Sequence, residues 1–181
     1  MPKATLSIFF ASIVAYALGG QQFLWLWPLD SSHHHTWQLL TYAFCHGNLL
    51  HLAVNMIVLL SFGPTLERQW GRGEFLTCYA MCAVGGAALQ LFMLDKPVMG
   101  ASGALFGLFA AYTMLHPHRR VVSLIPWPLP AWLVLGLYVA LSALAWAFDW
   151  LPGVAHLTHV GGVLTGLLVA SALKYNKAPV V

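Results

Sequence analysis

Six stretches of this 181-residue chain, 6–27, 49–66, 75–94, 101–115, 129–148 and 155–173, carry almost no charge. A helix needs about 20 apolar residues to cross a bilayer, and all but the short fourth stretch approach that length. Only 7% of the residues are charged and 60% are apolar, with a mean hydropathy of +0.75. Soluble domains carry about 25% charged residues. The expectation is therefore an all-α integral membrane protein, a six-transmembrane-helix bundle forming a single polytopic domain over 1–181.

The other classes recede on the same data. A net charge of +3 comes from only eight basic residues, too scattered along the chain for a nucleic-acid-binding face. Cys45, Cys78 and Cys82 offer no disulfide framework and no C-x-x-C pair. Cys78 and Cys82, four apart on an apolar helix, read as small packing residues. The first apolar stretch is longer than a signal-peptide core and ends without a small-x-small cleavage site, so it reads as a retained span.

Basic residues then set direction. Lys3, Arg68, Arg72, Arg119, Arg120, Lys174 and Lys177 fall on one side of a six-span arrangement, and only Lys96 falls on the other, with Asp30, Asp95 and Asp149. The positive-inside rule puts both termini in the cytoplasm. Trp25, Trp27, Trp146 and Trp150 suit an outer interfacial belt, and Trp70 and Trp127 an inner one. The first connection, 28–48, holds Trp37, Leu39, Leu40 and Phe44 and is expected to lie partly in the outer leaflet.

Polar residues inside the spans gather at one depth. Counting from the cytoplasmic helix ends, Ser102 and His159 lie at heights of roughly 21 and 22 Å. His51 and Asn55 come out at roughly 24 and 18 Å, on one helix face because they are four residues apart. The fourth helix therefore starts below the outer membrane surface, and 95–101 must dip inward to reach it. Irregular backbone at that depth survives only when it is buried in protein or faces water. Gly100 and Gly103 around Ser102 fit a sharp turn there. Gly103 and Gly107 form a small-x-x-x-small pair, as do Gly162 and Gly166 after His159, and such pairs let helix backbones approach.

A serine hydroxyl becomes a nucleophile when an adjacent base takes its proton, and a neutral His159 can be that base. All five acidic residues lie near span ends, so a Ser102–His159 pair would act as a dyad without a carboxylate. Phe106, one turn after Ser102, is placed to brace the imidazole. The Ser102 N–H at a helix start, together with His51 and Asn55, could donate to an oxyanion. Each piece has a plainer use. A lone serine in a membrane helix usually bonds back to a carbonyl, and a lone Asn or His often only joins neighbouring helices.

Taken together, His46-x-x-x-x-His51-x-x-x-Asn55, Gly100-Ala101-Ser102-Gly103 and His159-x-x-Gly162-x-x-x-Gly166 resemble the rhomboid family of intramembrane serine proteases, specifically its bacterial GlpG type. The resemblance runs from the first span to Lys174. It implies a six-helix fold with Ser102 as nucleophile and His159 as general base. His51, Asn55 and the Ser102 amide would form the oxyanion hole, with Gly100, Gly103, Phe106, Gly162 and Gly166 in support. It also implies cofactor-free, metal-free hydrolysis of a peptide bond in or beside a transmembrane segment of a membrane-protein substrate. The setting would be the bacterial inner membrane, with the active site opening to the periplasmic side.

The chain departs from the family pattern at three places. Gln38 follows Trp37 where arginine is common, Arg68-Gln69 follows Glu67 where arginine usually comes two residues on, and Phe106 stands where many relatives have tyrosine. The extra N-terminal cytoplasmic domain of some relatives is not expected. The competing reading is a histidine-lined transporter or metal-binding membrane protein, suggested by nine histidines, including His33–His35 and His156. No H-E-x-x-H occurs, and His116 and His118 lie at the opposite side from His156.

Overall fold

The computed structural model describes residues 2–92, 96–121, 127–148, 150 and 153–176. Asp95, Asp149 and Lys177, which enter the charge argument, lie outside them. The fold is mostly helical: α1 (Lys3–Leu18), α2 (Gln38–Thr41), α3 (Leu49–Trp70), α4 (Arg72–Leu91), α5 (Ser102–Leu115), α6 (Ala131–Ala147) and α7 (His156–Asn176). A two-residue antiparallel pair, β1 (Arg120–Val121) and β2 (Leu129–Pro130), precedes α6. By length and composition α3, α4 and α7 suffice to cross a membrane, while α1, α5 and α6 are shorter apolar helices.

Several helix ends differ from the apolar stretches. The first stretch was expected to run to residue 27, yet α1 stops at Leu18. Gly19 and Gly20 both take positive φ, 65° and 63°, which no continuing helix allows. The apolar residues beyond them form a 3-10 turn, Gln21–Leu24, and Leu26 then pairs with Val98 in an isolated β-bridge. The expected connection from Glu67 to Glu74 is almost all helix, because a single residue, Gly71 at φ 88°, separates α3 from α4. Trp70, expected in an interfacial belt, is instead buried.

Helix α5 is the axis of the molecule. From Gly103 through Thr113 every residue of it is buried except Phe106, which is half-buried. Its contact with α7 is backbone on backbone. A β-carbon at Gly162 would drive into the Gly103 carbonyl oxygen, and one at Gly166 into that of Gly107. On the other side of α7, a β-carbon at Gly161 would lie 3.0 Å from the Gly86 Cα of α4. The outward faces carry exposed Phe10, Val14, Ile57, Leu60, Leu164 and Leu168, an apolar exterior that suits lipid.

Two polar side chains tie the ends of this bundle. Glu67 accepts hydrogen bonds from the Ala4 and Thr5 amides (2.8 and 2.7 Å) and from the Thr5 hydroxyl (2.8 Å), capping the start of α1 from another helix. Gln38 is fully buried in the first connection. Its Nε2 donates to the Phe23 and His33 carbonyls, and its Oε1 accepts from the Trp27 and His35 amides. A neutral amide thus anchors the first connection.

Candidate active site

The turn before α5 is built by glycine. Gly100 has φ 136°, and a β-carbon there would sit 2.8 Å from His51 Cε1, so both backbone angle and space call for glycine. Its N–H donates to the Tyr42 carbonyl at 3.0 Å, and the Tyr42 hydroxyl donates to the Ala83 carbonyl at 2.9 Å. This hitch fixes the height at which α5 begins. Ser102 is the first residue of α5, so its N–H has no acceptor within the helix.

Ser102 Oγ lies 2.9 Å from His159 Nε2 on α7. The imidazole is held on three sides. The Phe106 ring stacks on its face with centroids 4.3 Å apart and planes 12° from parallel. On the edge away from Ser102, Ser142 Oγ of α6 lies 3.3 Å from Nδ1. His156 approaches edge-on, with centroids 6.2 Å apart.

Helix α3 brings two further groups. Asn48 caps it, its Oδ1 accepting from the His51 N–H at 2.8 Å, which orients the first turn. Asn55, one turn further along, is buried, and its Nδ2 has no hydrogen-bond partner among the described residues. A buried amide donor without a partner is costly and signals a ligand or a transient charge. His46, the first residue of the motif, packs edge-on against His51 at 5.1 Å.

His51, Asn55, Ser102, Phe106 and His159 line one cavity of 630 Å³, whose walls are largely apolar, including Val54, Val58, Leu105, Phe109 and Tyr138. Gly103, Gly162 and Gly166 line up behind it as the α5–α7 contact. The arrangement holds a hydroxyl against an imidazole, with His51 and Asn55 lining the same space. Ser142 and Tyr42 were missed by the sequence reading. Ser142 had a faint signal, a hydroxyl in the apolar run of α6 that aligns with no span end.

Of the histidines of the competing reading, His34, His35 and His116 lie in separate contacts. Among the described residues no three His, Cys, Asp or Glu side chains form a group able to hold a metal ion. His34 Nδ1 contacts the Trp27 carbonyl, His35 stacks on Trp37, and His116 meets Gln69.

The family described as Rhomboid domain matches residues 33–176. The chain belongs to the rhomboid family. Among curated relatives of this rhomboid, Rhomboid protein 1, mitochondrial, of Saccharomyces cerevisiae is 33% identical over 134 residues, covering 70% of this chain and 38% of that protein. RHOMBOID-like protein 2 of Arabidopsis thaliana is 34% identical, covering 81% and 45%. Rhomboid protease GluP of Bacillus subtilis is 29% identical, covering 78% and 27%. The rhomboid chain thus spans less than half the length of these relatives. They come from a fungus, a plant and a bacterium, and so mark the family and not its GlpG type. Family and apolar helices together make this rhomboid an integral membrane protein.

Proposed function

We propose that this rhomboid is an intramembrane serine endopeptidase, hydrolysing a peptide bond in or near the transmembrane segment of membrane-protein substrates. The observation that carries the reading is the 2.9 Å approach of Ser102 Oγ to His159 Nε2 at a cavity that His51 and Asn55 also line. His159 accepts the hydroxyl proton as Oγ attacks the carbonyl carbon. Charge develops on the carbonyl oxygen, where the Ser102 N–H, the Asn55 amide and the His51 ring can donate to it. Collapse of the adduct expels the amine, which takes the proton back from the imidazolium and leaves an ester on Ser102. Water, deprotonated by His159, then hydrolyses that ester and frees the serine.

In this reading the six longer helices cross the inner membrane of a bacterium as one domain, with both termini cytoplasmic and the cavity open toward the periplasmic side. The histidine-lined transporter has less support, since His34, His35 and His116 are engaged in separate packing and hydrogen-bonding contacts. Purified protein in detergent should cleave a test transmembrane substrate with or without chelator. Ser102→Ala and His159→Ala should each lower kcat by about 10⁴-fold. Cleavage that survives Ser102→Ala, or that stops on adding chelator, contradicts the proposal.

A further inference from the structure

We propose that Ser142 is the positioning residue that sets the tautomer of His159, its Oγ accepting the Nδ1 proton so that Nε2 turns a bare lone pair toward Ser102. The inference rests on Ser102 and His159 being nucleophile and base. A neutral imidazole carries one proton, and the nitrogen that holds it is decided by the partners of the two ring nitrogens. Here those partners are two serines on opposite edges, Ser102 Oγ at 2.9 Å from Nε2 and Ser142 Oγ at 3.3 Å from Nδ1. For Nε2 to serve as base, Nδ1 must hold the proton, and a buried N–H without an acceptor is expensive. Ser142 is itself buried and supplies that acceptor.

In this polarity the Ser142 hydroxyl proton goes to an acceptor other than the ring, as the protons of other helical hydroxyls here do. Ser7, Ser61, Thr113, Thr165 and Ser171 all donate to the carbonyl four residues earlier, at 2.7–2.9 Å. A helical serine that does so keeps its oxygen lone pairs free, and Ser142 directs its oxygen at a ring nitrogen. The opposite polarity, Ser142 donating into Nδ1, would put the ring proton on Nε2 and leave Ser102 without a base. The contact also gains strength as the reaction proceeds. Once the imidazole has taken the serine proton, Nδ1–H belongs to a cation, and charge-assisted hydrogen bonds are shorter and stronger. A resting separation of 3.3 Å leaves room for that shortening. The site thus has an uncharged third member where a triad would have a carboxylate.

The test uses the full chain in detergent, labelled with ¹⁵N-histidine, with the His159 signals assigned by their loss in His159→Ala. The wild-type spectrum above the imidazole titration should show Nδ1 protonated and Nε2 bare, and Ser142→Ala should bring in the opposite tautomer. In the cleavage assay Ser142→Ala should lower kcat about tenfold with KM held within about twofold, and Ser142→Thr, which keeps the hydroxyl, should restore most of the rate. A wild-type spectrum with the proton on Nε2 overturns the proposal without any variant needing to fold. So does a Ser142→Ala enzyme with unchanged kcat, or one whose loss comes with an unchanged tautomer. Failure of the protease reading is distinguishable, because it would show as no cleavage by the wild type while the tautomer spectrum still reports on Ser142.

Discussion

Phe106 covers one face of the His159 ring at 4.3 Å and also meets Tyr138 edge-on at 5.9 Å. Truncating it to alanine leaves the imidazole free to rock away from Ser102 while removing only one half-buried side chain from the bundle. Phe106→Ala should lower kcat about tenfold with little change in the thermal midpoint, and Phe106→Tyr should stay near the wild-type rate. Parallel kinetics and thermal unfolding decide it; an unchanged rate would remove Phe106 from the positioning of the base. A common height for Ser102 and His159 was legible from helical rise, because depth along a span follows from residue count, but rise does not say which spans are neighbours. Ser142 was not legible in this way. Its partner is fixed by the rotation of α6 about its own axis, and an apolar helix with no polar stripe gives no sign of that rotation.

Among the elements, the pairing of α5 with α7 rests on missing β-carbons, whereas α6 is held through side chains. Gly162 has the Gly103 backbone against it, and Gly136 of α6 has nothing within 4 Å. Gly162→Ala should therefore force the two central helices apart and cost ~1–3 kcal/mol, while Gly136→Ala leaves stability unchanged or slightly higher. Denaturant or thermal unfolding of the two variants side by side checks this, and equal stability would contradict the backbone-contact account. The small-x-x-x-small spacing made this contact readable in the sequence. The end of α1 was not readable by the same means. Residues 6–27 carry no charge although Gly19-Gly20-Gln21-Gln22 interrupts their apolarity, and the helix is broken by the backbone angles of the two glycines, to which a charge count is blind. Gln38 is a similar case. Its type alone says nothing of its role, and the structure gives it four hydrogen bonds that anchor the first connection in neutral form.

For the protein as a unit, the apolar exterior and the cavity that receives Ser102 and His159 are two halves of one arrangement. Gly100, at φ 136°, turns the chain so that α5 starts at Ser102, against the cavity. That turn brings Ser102 to a cavity of 630 Å³ that His159 and Asn55 also line, and the proposed chemistry draws on all three. Its most direct test is labelling by a fluorophosphonate, which reports an activated serine without knowledge of the substrate. The wild-type protein in detergent should be modified at Ser102 alone, as read by peptide mass, and His159→Ala should suppress the modification. Labelling that proceeds equally without His159, or that falls on another serine, would contradict the account.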